Sequence, residues 1–328
     1  MSIISLPLSR FEVMEHVGQY VDKMLDRFLR PVELNWQPAD FLPDASSPVF
    51  FEQVKELQER AKSLAYDFWA VLIGDMITEE ALPTYESWIM AAKGIDQMDA
   101  ENPWVRWTRA WTAEENRHGD LLNKYLYLSG RVDMKQVEAS TQYLIREGFS
   151  IGTGNDPYRN FIYTSFQELA TYTSHQRVAE LALQHDNPHL AEMCQTIAQD
   201  EYRHAYAYMA FIERVIEADP NEALVAFEDM MRKKIVMPAH YLREMGVKIG
   251  DTFKHFSDAA QRLGVYTAED YVQILDILLE KWKIEHLTGL NEKGEKARDY
   301  VLTLPNRLNR IASRLKIDQL EYRFKWIR

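Results

Sequence analysis

Two short segments of the chain share one pattern, a glutamate three residues before a histidine: Glu115-x-x-His118 and Glu201-x-x-His204. On a helix, residues i and i+3 lie on the same face, so each pair can hold one metal ion. Two pairs therefore predict two ions. The chain has nine histidines, and only these two have a glutamate at that spacing. One pair alone would be weak evidence, because a surface helix tolerates it well.

Each pair follows another glutamate at a similar distance. Glu79 lies 36 residues before Glu115, and Glu168 lies 33 residues before Glu201. Each half of the pattern thus predicts a helix with a single Glu and then a helix with a Glu and a His. Four antiparallel helices can direct all six side chains inward. Burying acids on such helices is costly unless they are paired or bind metal.

The donor set indicates which metals the site would hold. Four carboxylates would neutralise the charge of two divalent ions, and the two imidazoles would take terminal positions. Oxygen and imidazole donors without sulfur favour iron or manganese over zinc or copper, and they do not choose between those two. The only cysteine, Cys194, excludes an internal disulfide and a thiolate cluster, and we expect it to be a buried apolar residue.

The periodicity of apolar residues predicts an all-α protein. Glycine and proline are scarce, at 13 and 12 residues of 328, which favours long helices, and no alternating strand pattern is visible. We expect helices at residues 11–29, 49–66, 68–92, 103–129, 134–147, 157–185, 188–218, 221–234, 251–263, 268–282 and 292–315. We expect one domain over residues 1–328, with an N-terminal helix and loop (1–48), a four-helix metal-binding core (about 68–218) and C-terminal helices (220–328).

Charge and hydropathy limit the partners. The net charge of −12 argues against general nucleic-acid binding. No apolar run is long enough to span a bilayer, so we expect a soluble protein without membrane insertion.

Longer strings around the candidate ligands resemble the soluble acyl-acyl-carrier-protein desaturases. These strings are residues 76–85, 111–120, 162–168, 200–204, 226–234 and 259–268, and the likeness extends over about residues 31–304. The resemblance implies a homodimer whose subunit is a ferritin-like di-iron helical bundle with additional helices. It also implies that two iron ions (Fe²⁺/Fe³⁺) are held by six ligands: Glu79, Glu115, His118, Glu168, Glu201 and His204.

The same resemblance implies a reaction. An enzyme of this kind inserts a cis double bond, here expected at C9, into a saturated acyl chain on acyl carrier protein during fatty acid biosynthesis. Oxygen is the oxidant, and ferredoxin supplies electrons. Residues 86–92 and 148–160 depart from the family pattern where such a bundle could line the far end of the acyl slot, which leaves chain length and double-bond position open. The expected location is the plastid stroma for a plant or alga, and the cytoplasm otherwise.

Further residues are assigned roles as hypotheses. The Thr171 hydroxyl could aid proton delivery to bound oxygen, or it could bond its own helix backbone. Asp200 is expected to orient the His118 ring. Trp36 could extend an electron path to the surface, or anchor its loop. His175, two turns after Glu168, could support a ligand, although an ordinary helix histidine is expected. A basic run could bind the acidic carrier protein or be a solvated face: Arg232, Lys233 and Lys234.

Three other interpretations remain open from the residues alone. The radical-generating subunit of ribonucleotide reductase is also a di-metal bundle, although its first ligand is usually Asp and here it is Glu79. An iron-storage or oxygen-scavenging bundle is a second, but such chains are usually about half this length. A metal-free helical interaction protein is the third.

Overall fold

The computed structural model describes residues 8–95, 98–316 and 322–328, which fold as an α-helical bundle. The helices are α1 (Leu8–Phe28), α2 (Phe50–Ala61), α3 (Tyr66–Glu79), α4 (Leu82–Met90), α5 (Pro103–Ser129), α6 (Met134–Glu147), α7 (Pro157–Gln184), α8 (Pro188–Ala218), α9 (Pro220–Lys233), α10 (Asp251–Leu263), α11 (Ala268–Lys281) and α12 (Glu292–Ala312). Within these ranges the only β-pairing is an isolated antiparallel bridge between Val132 and Ile327. The predicted all-α fold is confirmed.

The one-domain assignment of residues 1–328 stays a prediction, and its residues 1–7, 96–97 and 317–321 lie outside the described ranges. None of the described helices is both long enough and apolar enough to cross a bilayer.

Four helices begin at an Asn-Pro or Asp-Pro pair. In each, the Asn or Asp side chain accepts a hydrogen bond from a backbone N–H of the first turn, and the proline occupies a position that has no intrahelical donor to lose. The pairs are Asn102-Pro103 before α5, Asp156-Pro157 before α7, Asn187-Pro188 before α8 and Asp219-Pro220 before α9. These local signals explain why the predicted starts of α5, α7 and α8 match the structure.

Helices α3, α5, α7 and α8 form the central bundle. Helix α3 packs on α5, α5 on α8, and α7 on α8, while α1 covers α5 and α8. The C-terminal helices complete one side, with α10 against α3, α11 against α7, and α9 between α7 and α12. Because α5, α7 and α8 have 27, 28 and 31 residues, they are about 40 to 47 Å long, and their midpoints lie deep in the bundle.

The continuous helix predicted for residues 68–92 is wrong. The chain forms α3 up to Glu79, turns at residues 80–81, and starts α4 at Leu82. The cause is Pro83, which has no N–H to bond the carbonyl of Glu79 four residues earlier and whose ring would clash with it. The predicted ends of α2 and α12 also extend too far, since these helices stop at Ala61 and Ala312.

Helix α5 approaches the end of α3 closely at Gly119. A Cβ atom on Gly119 would lie 3.1 Å from the backbone nitrogen of Glu80 and 3.3 Å from the carbonyl carbon of Glu79. Any side chain here would push the two helices apart. The missing Cβ therefore lets the backbone that carries Glu79 lie directly beside the helix that carries His118.

Candidate metal centre

Six side chains predicted as ligands converge in the middle of the central bundle. Two sets of four have all their ligand atoms within 4.8 Å of one another: Glu79, Glu115, His118 and Glu201 form one set, and Glu115, Glu168, Glu201 and His204 form the other. Glu115 and Glu201 belong to both sets. They therefore lie where a carboxylate can bridge two ions, while the other four residues lie at the two ends.

The δ nitrogens of both histidines face the carboxylates. Nδ1 of His118 lies 3.1 Å from Oε1 of Glu201 and 3.6 Å from Oε2 of Glu115. Nδ1 of His204 lies 2.6 Å from Oε1 of Glu115 and 3.6 Å from Oε2 of Glu168. The two imidazole rings are 6.2 Å apart, centre to centre, and nearly parallel at 25°. The arrangement is thus close to two-fold symmetric.

Several of these buried atoms make no hydrogen bond of acceptable geometry among the described residues, although some lie close to one another. They are Oε1 of Glu115 and Glu201, Oε2 of Glu168, and Nδ1 of His118 and His204. Buried polar atoms are almost always paired, so a cluster of unpaired ligand atoms that point at one another indicates a ligand site. Two divalent cations fit this requirement, because they would coordinate carboxylate oxygens and neutral imidazole nitrogens.

Charge within the cluster shifts its titration strongly. Burial raises the pKa of Glu168 well above its ordinary value, and the charges of Glu115 and Glu201 raise it further. Burial alone would lower the pKa of both histidines, but the surrounding carboxylates raise the pKa of His118 and His204 well above the ordinary value. Protons thus offset the carboxylate charge in the metal-free protein, and bound cations would displace them.

Three carboxylates are held on one oxygen by a donor outside the ligand set. His175 Nε2 donates to Oε1 of Glu79 at 2.9 Å. Trp111 Nε1 donates to Oε1 of Glu168 at 3.1 Å. The Thr171 hydroxyl is 2.6 Å from Oε2 of Glu201. In each case the other carboxylate oxygen is directed into the cluster, so these donors fix the orientation of the ligands.

Each imidazole has a carboxylate behind it. Nε2 of His204 donates to Oε2 of Glu114 at 2.9 Å, and Nε2 of His118 lies 3.5 Å from Oδ2 of Asp200. Arg203 contacts both of these acids. Because Asp200 and Glu114 immediately precede the ligands in their helices, the two halves of the centre repeat one arrangement of ligand and supporting acid.

Trp36 connects this cluster to the surface loop before α2. Its indole nitrogen donates to Oδ2 of Asp200 at 2.9 Å, and its ring stacks on His118 with an angle of 8° and centres 6.1 Å apart. The guanidinium of Arg117 lies 4.6 Å from the centre of the Trp36 ring on one side and donates to the Trp36 carbonyl. Leu34, two residues earlier, is 77% exposed.

A cavity of about 650 Å³ runs from the cluster to the protein surface. Glu79, Glu115 and Thr171 line its inner part, and Phe256 lies along its wall. Lys234 and the exposed Leu315 line its outer part. The cavity therefore gives an elongated ligand a route from solvent to the donor cluster.

The basic run at the cavity mouth is mostly paired. Arg232 binds Glu228 at 2.6 Å, and Lys233 binds Asp229 at 2.7 Å. Both acids lie one helical turn earlier in the sequence. No ion pair is found for Lys234 among the described residues, and this exposed residue has a left-handed backbone with φ of 63°. Of the three predicted carrier-binding residues, Lys234 is thus the most accessible to an acidic partner.

Sequence reasoning missed Glu114, and for His175 it favoured an ordinary helix histidine over a residue that supports a ligand. Glu114 could have been found, because an acid precedes the ligand glutamate in both repeats, at Glu114-Glu115 and at Asp200-Glu201. For His175 the sequence showed only its position two turns after Glu168, since its partner Glu79 lies on another helix, 96 residues away in sequence.

Comparison with known proteins shows close relatives over nearly the whole chain. Residues 9–328 match the fatty acid desaturase family. The chain is 53% identical to "Acyl-[acyl-carrier-protein] desaturase, chloroplastic" of Cucumis sativus and 52% identical to "Stearoyl-[acyl-carrier-protein] 9-desaturase, chloroplastic" of Ricinus communis; each match covers 94% of this chain and 78% of the relative. In fold, it resembles the crystal structure of the putative acyl-ACP desaturase DesA2 from Mycobacterium tuberculosis H37Rv, with a TM-score of 0.53 and 18% identity over 89% of this chain and 99% of that one.

The contact between His175 and Glu79 leads to a test by metal binding. The substitution His175→Leu removes the hydrogen bond that orients Glu79. We therefore expect the affinity for divalent iron to fall about 10- to 100-fold. Anaerobic titration of the metal-free protein with Fe²⁺ measures this. We expect His175→Gln, which keeps a donor, to recover most of the affinity, and His189→Gln, farther along the chain, to leave it unchanged. Equal affinity in the Leu variant and the unaltered protein would show that His175 does not position the ligand.

Proposed function

Because this chain belongs to the fatty acid desaturase family, we propose that it inserts a cis double bond into a saturated acyl chain carried on acyl carrier protein. The observation that carries the proposal is the cavity that joins the six-donor cluster to the surface. Relatives named as 9-desaturases support C9 as the position of the new bond. A location in the plastid stroma, in a plant or alga, and a role in fatty acid biosynthesis are part of the same proposal.

Iron is the proposed metal. Two iron ions would be held by Glu79, Glu115, His118, Glu168, Glu201 and His204. When bound, they would supply the oxygen-dependent oxidising power that removal of hydrogen from an unactivated methylene requires. Glu115 and Glu201 belong to both groups of ligand atoms, so each of these carboxylates would be able to hold either ion.

The cavity determines which carbon atoms are oxidised. Its walls include Val71, Leu82 and Phe256, so an acyl chain gains favourable apolar contacts while water is excluded from the metal centre. An acyl chain anchored at the mouth through its carrier would present a fixed segment to the cluster. Positioning of this kind is a large part of enzymatic rate enhancement.

Electrons are proposed to come from ferredoxin through Trp36. The ring stacked on His118 and the hydrogen bond to Asp200 give a continuous path from the surface loop to a metal ligand. Burial raises the pKa of Asp200, but the contacts with His118 and Arg203 have the larger, opposite effect. The net pKa is well below the ordinary value, so Asp200 keeps its charge. The alternative for Trp36, anchoring of its loop, is compatible with the same contacts.

Thr171 is proposed to deliver protons at the centre. It lines the cavity, and its hydroxyl is 2.6 Å from Glu201. The same oxygen lies 3.1 Å and 3.2 Å from the backbone carbonyls of Glu168 and Gln167. One hydroxyl proton cannot serve all three acceptors at once, so it can change partner when the charge on Glu201 changes.

The remaining partners follow the family. We propose that acyl carrier protein docks at the cavity mouth, where Lys234 and Arg307 place positive charge beside the opening. This local charge would offset the repulsion between an acidic carrier and an enzyme with net charge −12. A homodimer is proposed as the assembly.

The proposed reaction is tested by one incubation. Iron-loaded protein with saturated acyl carrier protein, reduced ferredoxin and oxygen should yield an acyl chain lacking two hydrogens, and mass spectrometry of the cleaved chain should place the double bond at C9. The double variant Glu115→Gln/Glu201→Gln serves as the control, since it removes both shared carboxylates. If the folded, iron-loaded protein receives electrons and consumes oxygen but desaturates no acyl carrier substrate, the proposed function is wrong.

Thr171 is tested through the coupling of oxygen use to product. We expect Thr171→Val to lower turnover roughly 100-fold, the size typical of a lost proton donor, and to form less product per oxygen consumed. We expect Thr171→Ser, which retains the hydroxyl, to behave like the unaltered enzyme. Normal coupling in the valine variant would leave only the backbone-bonding role.

Substitutions of two neighbouring lysines test the proposed carrier-binding surface through KM for the acyl carrier substrate. Lys234→Gln and Lys233→Gln change the net charge equally, but only Lys234 lacks an ion-pair partner in the described part of the chain. We expect Lys234→Gln to raise KM for acyl carrier substrate about tenfold at low ionic strength and to weaken its salt dependence, with a smaller effect in the Lys233 variant. Equal KM values for the two variants would argue against docking at Lys234.

A further inference from the structure

Helix α10 and the segment that leads to it form one wall of the large cavity. Phe253 and Phe256 line the cavity from α10, and residues 237–240 line it from the preceding segment. The two parts are in contact, since the ring of His240 stacks on Phe253 with centres 3.7 Å apart. Phe256 lies so close to Gly74 of α3 that a Cβ atom on this glycine would collide with its ring. The wall therefore packs directly on the central bundle.

Residues 322–328 contact the outer side of this wall. The ring of Tyr322 stacks on His255 of α10, with centres 3.9 Å apart and an angle of 10°. The hydroxyl of Tyr322 donates a hydrogen bond to Oε2 of Glu244 at 2.6 Å. The backbone N–H of Lys325 donates to the other oxygen, Oε1 of Glu244. Segment 322–328 thus holds both α10 and the chain that precedes it.

Glu244 makes these contacts costly to lose. It is 0% exposed, and in the described part of the chain both hydrogen bonds to its carboxylate come from Tyr322 and Lys325. A buried carboxylate that loses its partners is strongly unfavourable. The backbone N–H of Glu244 donates to Oγ1 of Thr252, in the first turn of α10, at 3.2 Å. Displacement of segment 322–328 would therefore also displace Glu244 and the start of α10.

The same segment is anchored on two fixed helices. Trp326 is fully buried, and its indole nitrogen donates to Oγ of Ser140 on α6 at 2.8 Å. The carbonyl of Trp326 accepts a hydrogen bond from the N–H of Asp133 at 2.8 Å. The N–H of Phe324 donates to Oη of Tyr66, the first residue of α3, at 2.7 Å. Segment 322–328 therefore connects α3 and α6 to the cavity wall.

We propose that segment 322–328 positions α10 as a wall of the acyl slot, and that Tyr322 and Glu244 are the positioning residues through which it acts. This inference rests on the proposed desaturase function. Neither residue is among the described residues that line the cavity. Dispersion contacts weaken steeply with distance, so a wall that is held less closely binds an acyl chain less tightly. The metal ligands lie on other helices and keep their arrangement.

The test measures how the metal-free protein binds a stearoyl carrier protein and the same carrier without an acyl chain. The substitution Tyr322→Phe keeps the ring that stacks on His255 and removes the hydroxyl that bonds Glu244. We expect the affinity for the stearoyl carrier to fall about tenfold, the effect of one lost hydrogen bond to a charged group. The affinity for the unacylated carrier should not change. Tyr127→Phe, at an exposed position of α5, is the matched control and should alter neither affinity.

Three further measurements distinguish positioning of the wall from a general loss of stability. Hydrogen exchange of residues 251–263 should become faster in Tyr322→Phe, while the affinity for Fe²⁺ in an anaerobic titration should stay the same. In the iron-loaded enzyme, KM for the stearoyl carrier should rise and kcat at saturating substrate should be retained. In a Glu244→Leu background, which lacks the acceptor, the added Tyr322→Phe substitution should have little further effect on acyl affinity.

The outcomes separate this inference from the proposed function. If Tyr322→Phe binds both carriers as the unaltered protein does, or loses affinity for both equally, the positioning role is wrong while the function stands. If the unaltered protein binds the stearoyl carrier no more tightly than the unacylated carrier and desaturates no acyl carrier substrate, the function itself fails.

Discussion

The structure depends on the burial of four carboxylates and two imidazoles at the centre of a helical bundle. Charged groups lose their hydration there, at a cost of several kcal/mol for each ion, on the order usual for protein interiors. Two features offset this cost in the described part of the chain. Outer donors hold one oxygen each on Glu79, Glu168 and Glu201, and the remaining atoms are arranged so that two cations can neutralise them. The long helices α5, α7 and α8 bring these groups together, and the additional helices pack around them.

Much of the fold and of the site could be predicted because the determining signals are local. Proline after Asn or Asp marks the starts of α5, α7 and α8, and spacings of three residues put a Glu and a His on one helical face. The break after Glu79 was equally local, since Pro83 is visible in the sequence, but the strong apolar pattern of residues 68–92 obscured it. The pairing of Arg232 and Lys233 with acids four residues earlier was visible in the same way.

Other features depend on contacts that no local pattern contains. His175 meets Glu79, and Glu114 meets His204, across 96 and 90 residues of sequence. A small cavity of about 10 Å³, lined by Trp88, likewise arises from residues of four different segments of the chain. The six ligand residues alone did not distinguish among the known classes of di-metal proteins. Family membership does, because it favours a desaturase over a ribonucleotide reductase subunit or an iron-storage protein. The identity of the metal as iron remains a proposal.

The turn at residues 80–81 makes the two halves of the centre unequal. Glu168 and its counterparts on α5 and α8 lie in mid-helix, where the backbone is fixed on both sides, whereas Glu79 is the last residue of α3 and precedes a non-helical turn. The ligand sets are nearly symmetric, but the stiffness of their supports is not. The carboxylate of Glu79 would therefore change its position more easily than the carboxylate of Glu168, which lies within α7.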